Sequence, residues 1–578
     1  MLQEDFSFAP SLDQQRLWLL TYLSPHSAAY NMSLCLRLEG KLQLDILEAS
    51  LNEVISRHEA LRTNFRIENE QLLQVIYKEN PINIKLVDFS YFHFEEQEKL
   101  TQQLFEEESS KCFDLAEEPL LKVTLLKLKP EVYDFILVIH HIIADGQSVM
   151  ILLSECFEIY KSKLLKKTTN LKPLDIQYVD FVNWQQQCFE SPVLKKQLDY
   201  WQNKLKGDLP ILNLPVSKPL PLRPNYQGKT CSFSVNKELT NLLKLFAQNN
   251  NSTLFHVLLT SFYTMLYVYS KQKEIILGVP FSGRPRTELQ NSIGCFAYPL
   301  PLRLDMNTEE TFSTLLKNVR NLVYETQQNQ DVSFSKIAEM IKPPRQKHYN
   351  PIFQVLFNLI KAFPSREDSG LKANMTRFKG TKDFDLILNV LEHPDECVMS
   401  LWYSTNIFDD NTVESLIGFY LEILQKVVTE PVFFISQLNL PEILLEKREI
   451  ATQFVNNIYQ QNNISSNKNL FVATETESKL LAIWKEVLGI ENIGLEDNFF
   501  DLGGHSRLMV QVHLKLQKAY EIELLELFNR PTIRSLAQYL NQQSNQKDVF
   551  AQTQLRAQSR RDLLDKQRRL RQQAVRSK

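Results

Sequence analysis

The sequence predicts an α+β protein in which a large region of mixed strands and helices precedes a small helical unit. At 578 residues the chain exceeds what one hydrophobic core organises, so at least two domains are expected. Short β-branched strands and amphipathic helices both occur up to about residue 450. Beyond that point the composition changes and helical patterns follow.

The clearest elements of the large region are one helix and three strands. Apolar residues from Leu44 to Val54 recur at intervals of three and four residues, which predicts a helix with a single apolar face. A Pro-rich stretch at 209–224 predicts an extended connection near the start of a second lobe. The strands are predicted at 120–128, 132–141 and 273–281.

The smaller unit follows a stretch rich in Asn, Gln and Ser at 454–469, which is typical of a linker. Thr474 and Glu477 stand at the spacing of a capping box, so a helix is predicted to begin there. A second helix is predicted to begin at Ser506 and a last one after Pro531. These helices predict a separate domain of some seventy residues.

Composition and charge exclude several classes of protein. The net charge of −3 provides no overall field for nucleic acid or an anionic membrane. No secretory signal and no long apolar span are present, so a cytoplasmic protein without a membrane partner is expected. The seven cysteines are scattered without metal-ligand spacing, which favours reduced thiols and predicts no metal site.

The most informative stretch of the large region contains two adjacent histidines. A β-branched strand runs into His140 and His141, and a turn with Asp145 and Gly146 precedes a helix. Since neighbouring strand residues point to opposite faces, only one histidine can enter a given pocket. An acid at the turn could pair with a cation, and Gly146 would permit the backbone geometry. By itself, such a pair is more typical of core or surface imidazoles than of a catalytic site.

The string HHxxxDG, placed on strand, turn and helix, resembles the active-site motif of the condensation domains of nonribosomal peptide synthetases. Further stretches resemble the motifs of that family in the same order and extend the resemblance over residues 5–450. It implies two chloramphenicol-acetyltransferase-like lobes arranged in a V. The stretches lie at 11–20, 57–65, 178–186, 280–303, 330–334 and 351–359.

The resemblance implies roles for individual residues. His141 is the catalytic candidate and His140 the structural one, with Gly146 completing the motif. Asp145 is expected to form an ion pair with Arg284 of the other lobe, although the sequence alone would favour a surface arginine. Arg62 lines or braces the site, or is purely structural. Where the family continues Phe-Val-Asn, this chain has Phe-Ala-Tyr at 296–298, which puts the substrate preference in doubt.

The segment DNFFDLGGHS at 497–506 resembles the signature of peptidyl and acyl carrier domains. Gly503 and Gly504 allow a tight entry into a helix, whose amino terminus tolerates negative charge. The resemblance implies a 4′-phosphopantetheine on Ser506, whereas GGHS alone is equally typical of an N-cap serine. Arg507 replaces the apolar residue that is usual in the family.

The predicted organisation is a fold of two lobes followed by a four-helix carrier domain. The reaction implied is amide formation between a donor acyl or peptidyl thioester and an amine acceptor. No segment is left for an adenylation domain, so an adenylation enzyme acting in trans and an upstream donor carrier protein are expected partners, besides a phosphopantetheinyl transferase. The partition is N-lobe 1–175, C-lobe 176–450, linker 451–473, carrier 474–543 and basic tail 544–578.

The tail and the reaction each leave alternatives open. Residues 556–578 hold nine Lys or Arg against two Asp, which suits a solvated helix, a docking element for a downstream synthetase or a nucleic-acid contact. We expect no nucleic-acid partner, because no aromatic residue lies beyond Phe550. Ester formation with a hydroxyl acceptor and a non-catalytic recruitment platform remain rival functions. Epimerisation domains ordinarily lie after the carrier domain that they serve, whereas here the carrier comes last. Heterocyclisation domains replace the paired histidines with aspartates. Both functions are therefore disfavoured.

Overall fold

A computed structural model of the chain divides into two compact units, residues 1–465 and 466–578. The dividing point falls inside the segment predicted as a linker, which itself lies outside the described residues, as does the basic tail. The structure describes residues 6–69, 71–188, 191–214, 228–307, 309–341, 350, 352–363, 366–368, 370–382, 384–448, 474–491, 493–499, 502, 506–517, 519–520 and 522–541.

The larger unit mixes strands and helices along its whole length. Its strands are β1 Phe6–Phe8, β2 Asn31–Gly40, β3 Thr63–Glu68, β4 Gln71–Ile76, β5 Lys85–Asp88, β6 Leu121–Lys129, β7 Val132–His140, β8 Gly228–Val235, β9 Glu274–Phe281, β10 Tyr298–Asp305, β11 Val355–Lys361, β12 Arg366–Asp368, β13 Leu371–Lys379, β14 Leu386–Glu392 and β15 Cys397–Ser404. Its helices are α1 Leu12–Leu23, α2 Leu44–Arg57, α3 Phe94–Ser109, α4 Gly146–Leu164, α5 Tyr178–Cys188, α6 Pro192–Lys204, α7 Lys237–Asn249, α8 Leu254–Ser270, α9 Phe312–Gln328, α10 Phe334–Ile341, α11 Asp410–Thr429 and α12 at 442–448.

Two six-stranded sheets organise this unit. The first sheet has the order β12-β13-β2-β7-β6-β5, and the second has the order β10-β9-β11-β14-β15-β8. A smaller sheet of order β1-β4-β3 accompanies them. The predicted helix from Leu44 and the three predicted strands are confirmed as α2, β6, β7 and β9, with Leu47, Leu51 and Val54 fully buried.

Strands β12 and β13 come from the second half of the chain but join the first sheet. Strand β13 pairs antiparallel with β2, so that Lys379 lies opposite Ser33 and Leu371 lies opposite Gly40. No local sequence pattern predicted this exchange, since it joins residues more than three hundred positions apart. It ties the second half of this unit to its first half by main-chain hydrogen bonds.

The second sheet carries the larger apolar core. Helix α8 is buried along almost its whole length, and it packs with α7, α9 and α11 over the sheet. A helix that is apolar on all sides is expected to lie inside a domain rather than at its surface. This core fixes the strand ends from which the segments facing the histidines emerge.

The smaller unit contains α13 Glu475–Leu488, α14 Ser506–Leu516, α15 Leu524–Asn529 and α16 at 533–541. The capping box of Thr474 and Glu477 is present, as predicted. Trp484 of α13 packs edge-on against Phe499, with ring centroids 4.8 Å apart, and both rings are fully buried. None of the helices in the described part of the chain is long and apolar enough to span a membrane.

Candidate functional site

The histidine loop, residues 140–146, connects β7 to α4 and gives its two histidines different surroundings. His140 ends β7 and is 3% exposed, with its ring edge-on against Phe113. The N–H of Ile142 donates to His140 Nδ1 at 3.2 Å, so Nε2 carries the proton, 3.4 Å from the Thr21 hydroxyl. Burial, reinforced by the neighbouring His141, lowers the pKa of His140 to about 3. His140 is therefore neutral and held in place.

His141 has the opposite proton arrangement and a partly exposed ring. Its Nδ1 lies 2.8 Å from the carbonyl oxygen of Ala144, which can only accept, so Nδ1 donates and the neutral ring keeps its lone pair on Nε2. The N–H of His141 donates to the carbonyl of Tyr30 at 2.9 Å. Within the described residues Nε2 forms no hydrogen bond. His141 thus presents a fixed proton acceptor, as general-base chemistry requires.

Asp145 caps α4 and joins both halves of the larger unit. It is fully buried, and the guanidinium of Arg284 donates to its two oxygens at 2.8 and 3.1 Å. The N–H of Ser148 donates at 2.7 Å, and those of Phe296 and Ala297 donate at 3.2 and 2.9 Å. Burial alone would raise the pKa of Asp145, but Arg284 and the Ser148 hydrogen bonds outweigh it and hold the pKa below 3.8.

The ion pair expected between Asp145 and Arg284 is therefore present in the structure. Arg284 reaches it from the loop after β9, and its guanidinium also donates to the carbonyls of Ser282 and Ser292 at 3.2 and 3.1 Å. It lies over the ring of Phe296 at 4.2 Å. The preceding Gly283 has φ +61°, and a Cβ there would lie 2.0 Å from the carbonyl oxygen of Phe296, so only glycine fits.

Gly146 lacks the backbone role that was expected of it, and the described contacts of Arg62 fit the structural alternative. Gly146 begins α4 with a φ outside the left-handed region, and a Cβ there would meet only Ile360 Cδ1 at 3.9 Å. The backbone reason for glycine was therefore wrong, because any residue could adopt this conformation. Arg62 donates to the carbonyl of Tyr77 and lies 3.6 Å from Glu59, so its described contacts brace the β3–β4 hairpin.

The segment 292–297, which lies inside the 280–303 motif, contacts the histidine loop and the start of α4. Tyr178 donates from its hydroxyl to the carbonyl of Cys295 at 2.9 Å, and Gly294 donates to the Ser148 hydroxyl at 3.1 Å. The sulfur of Cys295 consequently lies 3.9 Å from His141 Nδ1. Burial raises the pKa of this thiol well above 9. Its only signal in the sequence was its place inside the 280–303 motif.

In the smaller unit, the candidate attachment residue Ser506 begins the eleven-residue helix α14. Its side chain, Gly503, Gly504 and the side chain of Arg507 lie outside the described residues. Seven residues before Ser506, the N–H of Phe499 donates to the carbonyl of Pro531 at 2.7 Å. A serine at a helix amino terminus suits a phosphodiester, because the helix dipole favours negative charge there. The residues present therefore fit a phosphopantetheine arm.

Comparison with known families identifies both units. Residues 8–448 match the model of the condensation domain, and residues 478–540 match that of the phosphopantetheine attachment site. The chain belongs to the condensation domain family of nonribosomal peptide synthetases, whose condensation domains form amide bonds. The smaller unit is a carrier domain with 4′-phosphopantetheine as its covalent cofactor, as predicted.

Several antibiotic synthetases are similar to this chain in sequence. Tyrocidine synthase 3 of Brevibacillus parabrevis is 32% identical over 451 residues, which are 77% of this chain and 7% of that protein. Gramicidin S synthase 2 of Aneurinibacillus migulanus is 34% identical over 448 residues, 76% of this chain and 10% of that protein. The chain thus spans a tenth or less of these two relatives.

Solved structures share the fold. A holo four-domain nonribosomal peptide synthetase bound to AMP and glycine has a TM-score of 0.67 at 21% identity, covering 86% of this chain and 40% of that one. The X-domain from teicoplanin biosynthesis has a TM-score of 0.66 at 23% identity, covering 76% and 99%. The predicted acetyltransferase-like fold with a helical carrier domain is confirmed.

Proposed function

We propose that this chain joins a donor acyl or peptidyl thioester to an amine acceptor, with His141 as the catalytic residue. The observation that carries the proposal is the hydrogen bond from His141 Nδ1 to the Ala144 carbonyl, which leaves Nε2 as a free acceptor. An amine nucleophile must lose a proton as its nitrogen bonds to the acyl carbon. Nε2 takes that proton and can return it to the sulfur released when the carbon–sulfur bond breaks.

The rate enhancement that His141 can provide by accepting a proton is limited, because part of the amine substrate is already neutral. An α-amino group titrates near pH 7.7 to 8, so roughly a tenth or more is already neutral at pH 7. General-base help from one imidazole is worth about 10²- to 10⁴-fold, and alignment of the two reactants is worth a comparable or larger factor. His141 therefore serves both to accept the proton and to hold the amine in line.

The remaining motif residues position His141. Neutral His140 packs beneath the loop, and Asp145 with Arg284 clamps the loop to the segment after β9. Because Arg62 bonds to the β3–β4 hairpin, we assign it a structural role. Gly146 leaves open space at the start of α4.

We further propose that Ser506 is the attachment residue of the carrier domain. The phosphopantetheine arm, when attached, supplies the thiol that bears the acyl substrate. Ser506 begins α14, where the helix dipole favours a phosphodiester, and Phe499 packs against Trp484 in the core of the same unit. Partners follow from this role: a phosphopantetheinyl transferase, an upstream donor carrier protein, an adenylation enzyme acting in trans and a downstream synthetase at the tail. A cytoplasmic location suits all of them.

The test separates the two sites. A promiscuous phosphopantetheinyl transferase loads aminoacyl-coenzyme A onto the chain, and a panel of donor thioesters is then supplied on a separate carrier. We expect His141→Ala to load fully, as judged by intact mass, yet to form product at least about 100-fold more slowly. Ser506→Ala should not gain the arm. Wild-type product formation by the first variant, or arm addition to the second, would remove that residue from its role.

Two rival functions remain, and one has a specific observation behind it. The teicoplanin X-domain, which was also solved in complex with OxyB, shares this fold, which is compatible with a recruitment platform. A platform would yield no product in the assay above with any donor. Ester formation would yield a product that hydroxylamine cleaves, whereas an amide survives that treatment.

A further inference from the structure

Tyr178, the first residue of α5, packs against the backbone of residues 294–296. Its ring is buried and lies edge-on to Phe296, with ring centroids 4.8 Å apart. A Cβ on Gly294 would lie 2.1 Å from Cδ2 of Tyr178, so the ring covers the backbone at this point. The hydroxyl of Tyr178 donates to the carbonyl of Cys295 at 2.9 Å in a buried hydrogen bond. One side chain thus contacts three consecutive residues of the segment that meets the histidine loop.

The phenol of Tyr178 forms a second hydrogen bond, and the direction of both bonds is fixed. A carbonyl can only accept, so the single phenolic proton goes to Cys295. The phenolic oxygen lies 3.1 Å from the hydroxyl of Ser11 and accepts a hydrogen bond from it in return. Burial raises the pKa of Tyr178 well above 10, so the phenol stays protonated at neutral pH. The carbonyl of Cys295 therefore always has its donor.

These hydrogen bonds reach the histidine loop from two directions. Ser11 is the N-cap of α1, and its hydroxyl accepts from the N–H of Gln14 at 3.1 Å. The side-chain amide of Gln14 then donates to the carbonyl of Ile142 at 3.2 Å. At the other end, the sulfur of Cys295 lies 3.9 Å from Nδ1 of His141. The phenol thus lies within one continuous chain of contacts that begins and ends at the histidine loop.

Two acceptors face Nδ1 of His141, the Ala144 carbonyl at 2.8 Å and the Cys295 sulfur at 3.9 Å. Both favour the tautomer that carries its proton on Nδ1, which leaves the lone pair on Nε2. Without the phenol, the carbonyl of Cys295 would be buried and unsatisfied, and the backbone would shift toward another donor. Such a shift moves the sulfur away from Nδ1 and lets the imidazole turn.

We propose that Tyr178 is a positioning residue that orients the ring of His141 through Cys295. None of its described contacts is to His141 itself, so it acts by holding the sulfur beside Nδ1. The inference rests on the catalytic role of His141 proposed above, but the orientation of the ring is measurable without turnover. A misplacement of about 1 Å in a catalytic group costs up to about 100-fold in rate. Loss of the phenol should therefore lower kcat by about 10- to 100-fold.

Tyr178→Phe in the full-length chain tests the proposal, because it removes the hydroxyl and keeps the ring. In the condensation assay above, with the donor thioester that the wild type uses best, kcat should fall by this factor. KM should change by less than about twofold, since the phenol holds a catalytic group and not the substrate. The matched control Tyr263→Phe removes a buried phenol that donates to the carbonyl of Leu302 at 2.6 Å in the second sheet, and should leave kcat unchanged. Thermal unfolding confirms that both variants fold.

Carbon-13 NMR of the chain with ring-labelled histidine measures the tautomer of His141 without substrate, because the shifts of the ring carbons differ between the two neutral tautomers. The signal of His141 is assigned by its absence from His141→Gln. We expect the proton on Nδ1 in the wild type and in Tyr263→Phe, and a mixture of tautomers in Tyr178→Phe. A purely structural contribution of the phenol would leave the tautomer as it is.

A double variant shows whether Tyr178 acts through Cys295. Cys295→Ala should reproduce the loss in kcat, and adding Tyr178→Phe to it should lower kcat by less than about threefold more. Losses that multiply in the double variant, or an unchanged tautomer or kcat in Tyr178→Phe, would overturn the proposal. If His141→Ala keeps the wild-type rate, or no donor is turned over, the proposed function fails, and the tautomer alone decides whether Tyr178 orients the ring.

Discussion

Removing either partner of the buried pair between Asp145 and Arg284 should destabilise the larger unit, but by unequal amounts. In Arg284→Met the carboxylate keeps three backbone N–H donors, from Ser148, Phe296 and Ala297. The cost should therefore lie at the low end of the range for breaking a buried pair, about 3 kcal/mol. In Asp145→Ala the guanidinium loses its counter-ion, and the three amides lose their acceptor as well, so at least about 5 kcal/mol is expected.

The double variant gives the sharpest expectation. Adding Arg284→Met to Asp145→Ala removes the uncompensated cation and leaves mainly the three unsatisfied amides, for a total of about 3 to 4 kcal/mol at little more than about 1 kcal/mol each. The second substitution should thus stabilise the first. This sign follows only if both side chains are charged and dry, as their complete burial indicates.

Native-state hydrogen exchange in increasing urea measures these costs on peptides from residues 1–465 of the full chain. Lys237→Met is the control, because its ion pair with Asp395 lies within the same residues but is exposed, so its loss should leave the exchange of these peptides unchanged. The reasoning fails if Asp145→Ala costs no more than Arg284→Met, or if the double variant is less stable than both single variants.

Three further outcomes follow from the structure. Below about pH 6.5 the unfolded chain binds a proton at His140, whereas the buried imidazole of the folded chain stays neutral down to about pH 3. The contribution of His140 to the free energy of unfolding should therefore be complete above about pH 6.5 and fall by about 1.4 kcal/mol per pH unit between about pH 6.5 and 3. Urea titrations of His140→Gln should lack this slope, and a slope that persists in the variant would mean that another group causes it. Gly146→Ala should stabilise the larger unit by up to about 1 kcal/mol, because the added Cβ meets no close neighbour. A lower urea midpoint in this variant would show that the methyl group does not fit there. Thr474→Ala removes the helix cap of α13, so it should lower the free energy of unfolding of the smaller unit by about 1 kcal/mol. Hydrogen exchange in α13 should become faster, and unchanged exchange would mean that the cap contributes nothing.

The elements of the fold were predictable where their signals are local. Helix α2, the strands on either side of residue 130 and the capping box at Thr474 all follow from the spacing of apolar residues and from cap chemistry. Strand alternation also predicted that His140 and His141 face different surroundings. Which nitrogen of each ring carries the proton was not predictable, because this depends on the carbonyl of Ala144 and the N–H of Ile142 in the folded turn.

Long-range contacts were predictable only through the family resemblance, or not at all. The pair of Asp145 and Arg284 spans 139 positions, and sequence alone favoured a surface arginine. The approach of Cys295 to His141 had no signal of its own. Gly146 was assigned a backbone role that its conformation does not require, since a turn motif in a sequence cannot state the φ of its glycine.

The pairing of β13 with β2 in the first sheet affects how this chain folds while it is being synthesised. During synthesis β2 emerges from the ribosome hundreds of residues before its partner, at a pace of about 5–20 residues per second. Until residues 371–379 arrive, one side of β2 is an unpaired edge that other chains can join. The edge of β2 can therefore pair with other chains for tens of seconds. If the two halves were made as separate polypeptides, the half that contains β2 would keep this unpaired edge.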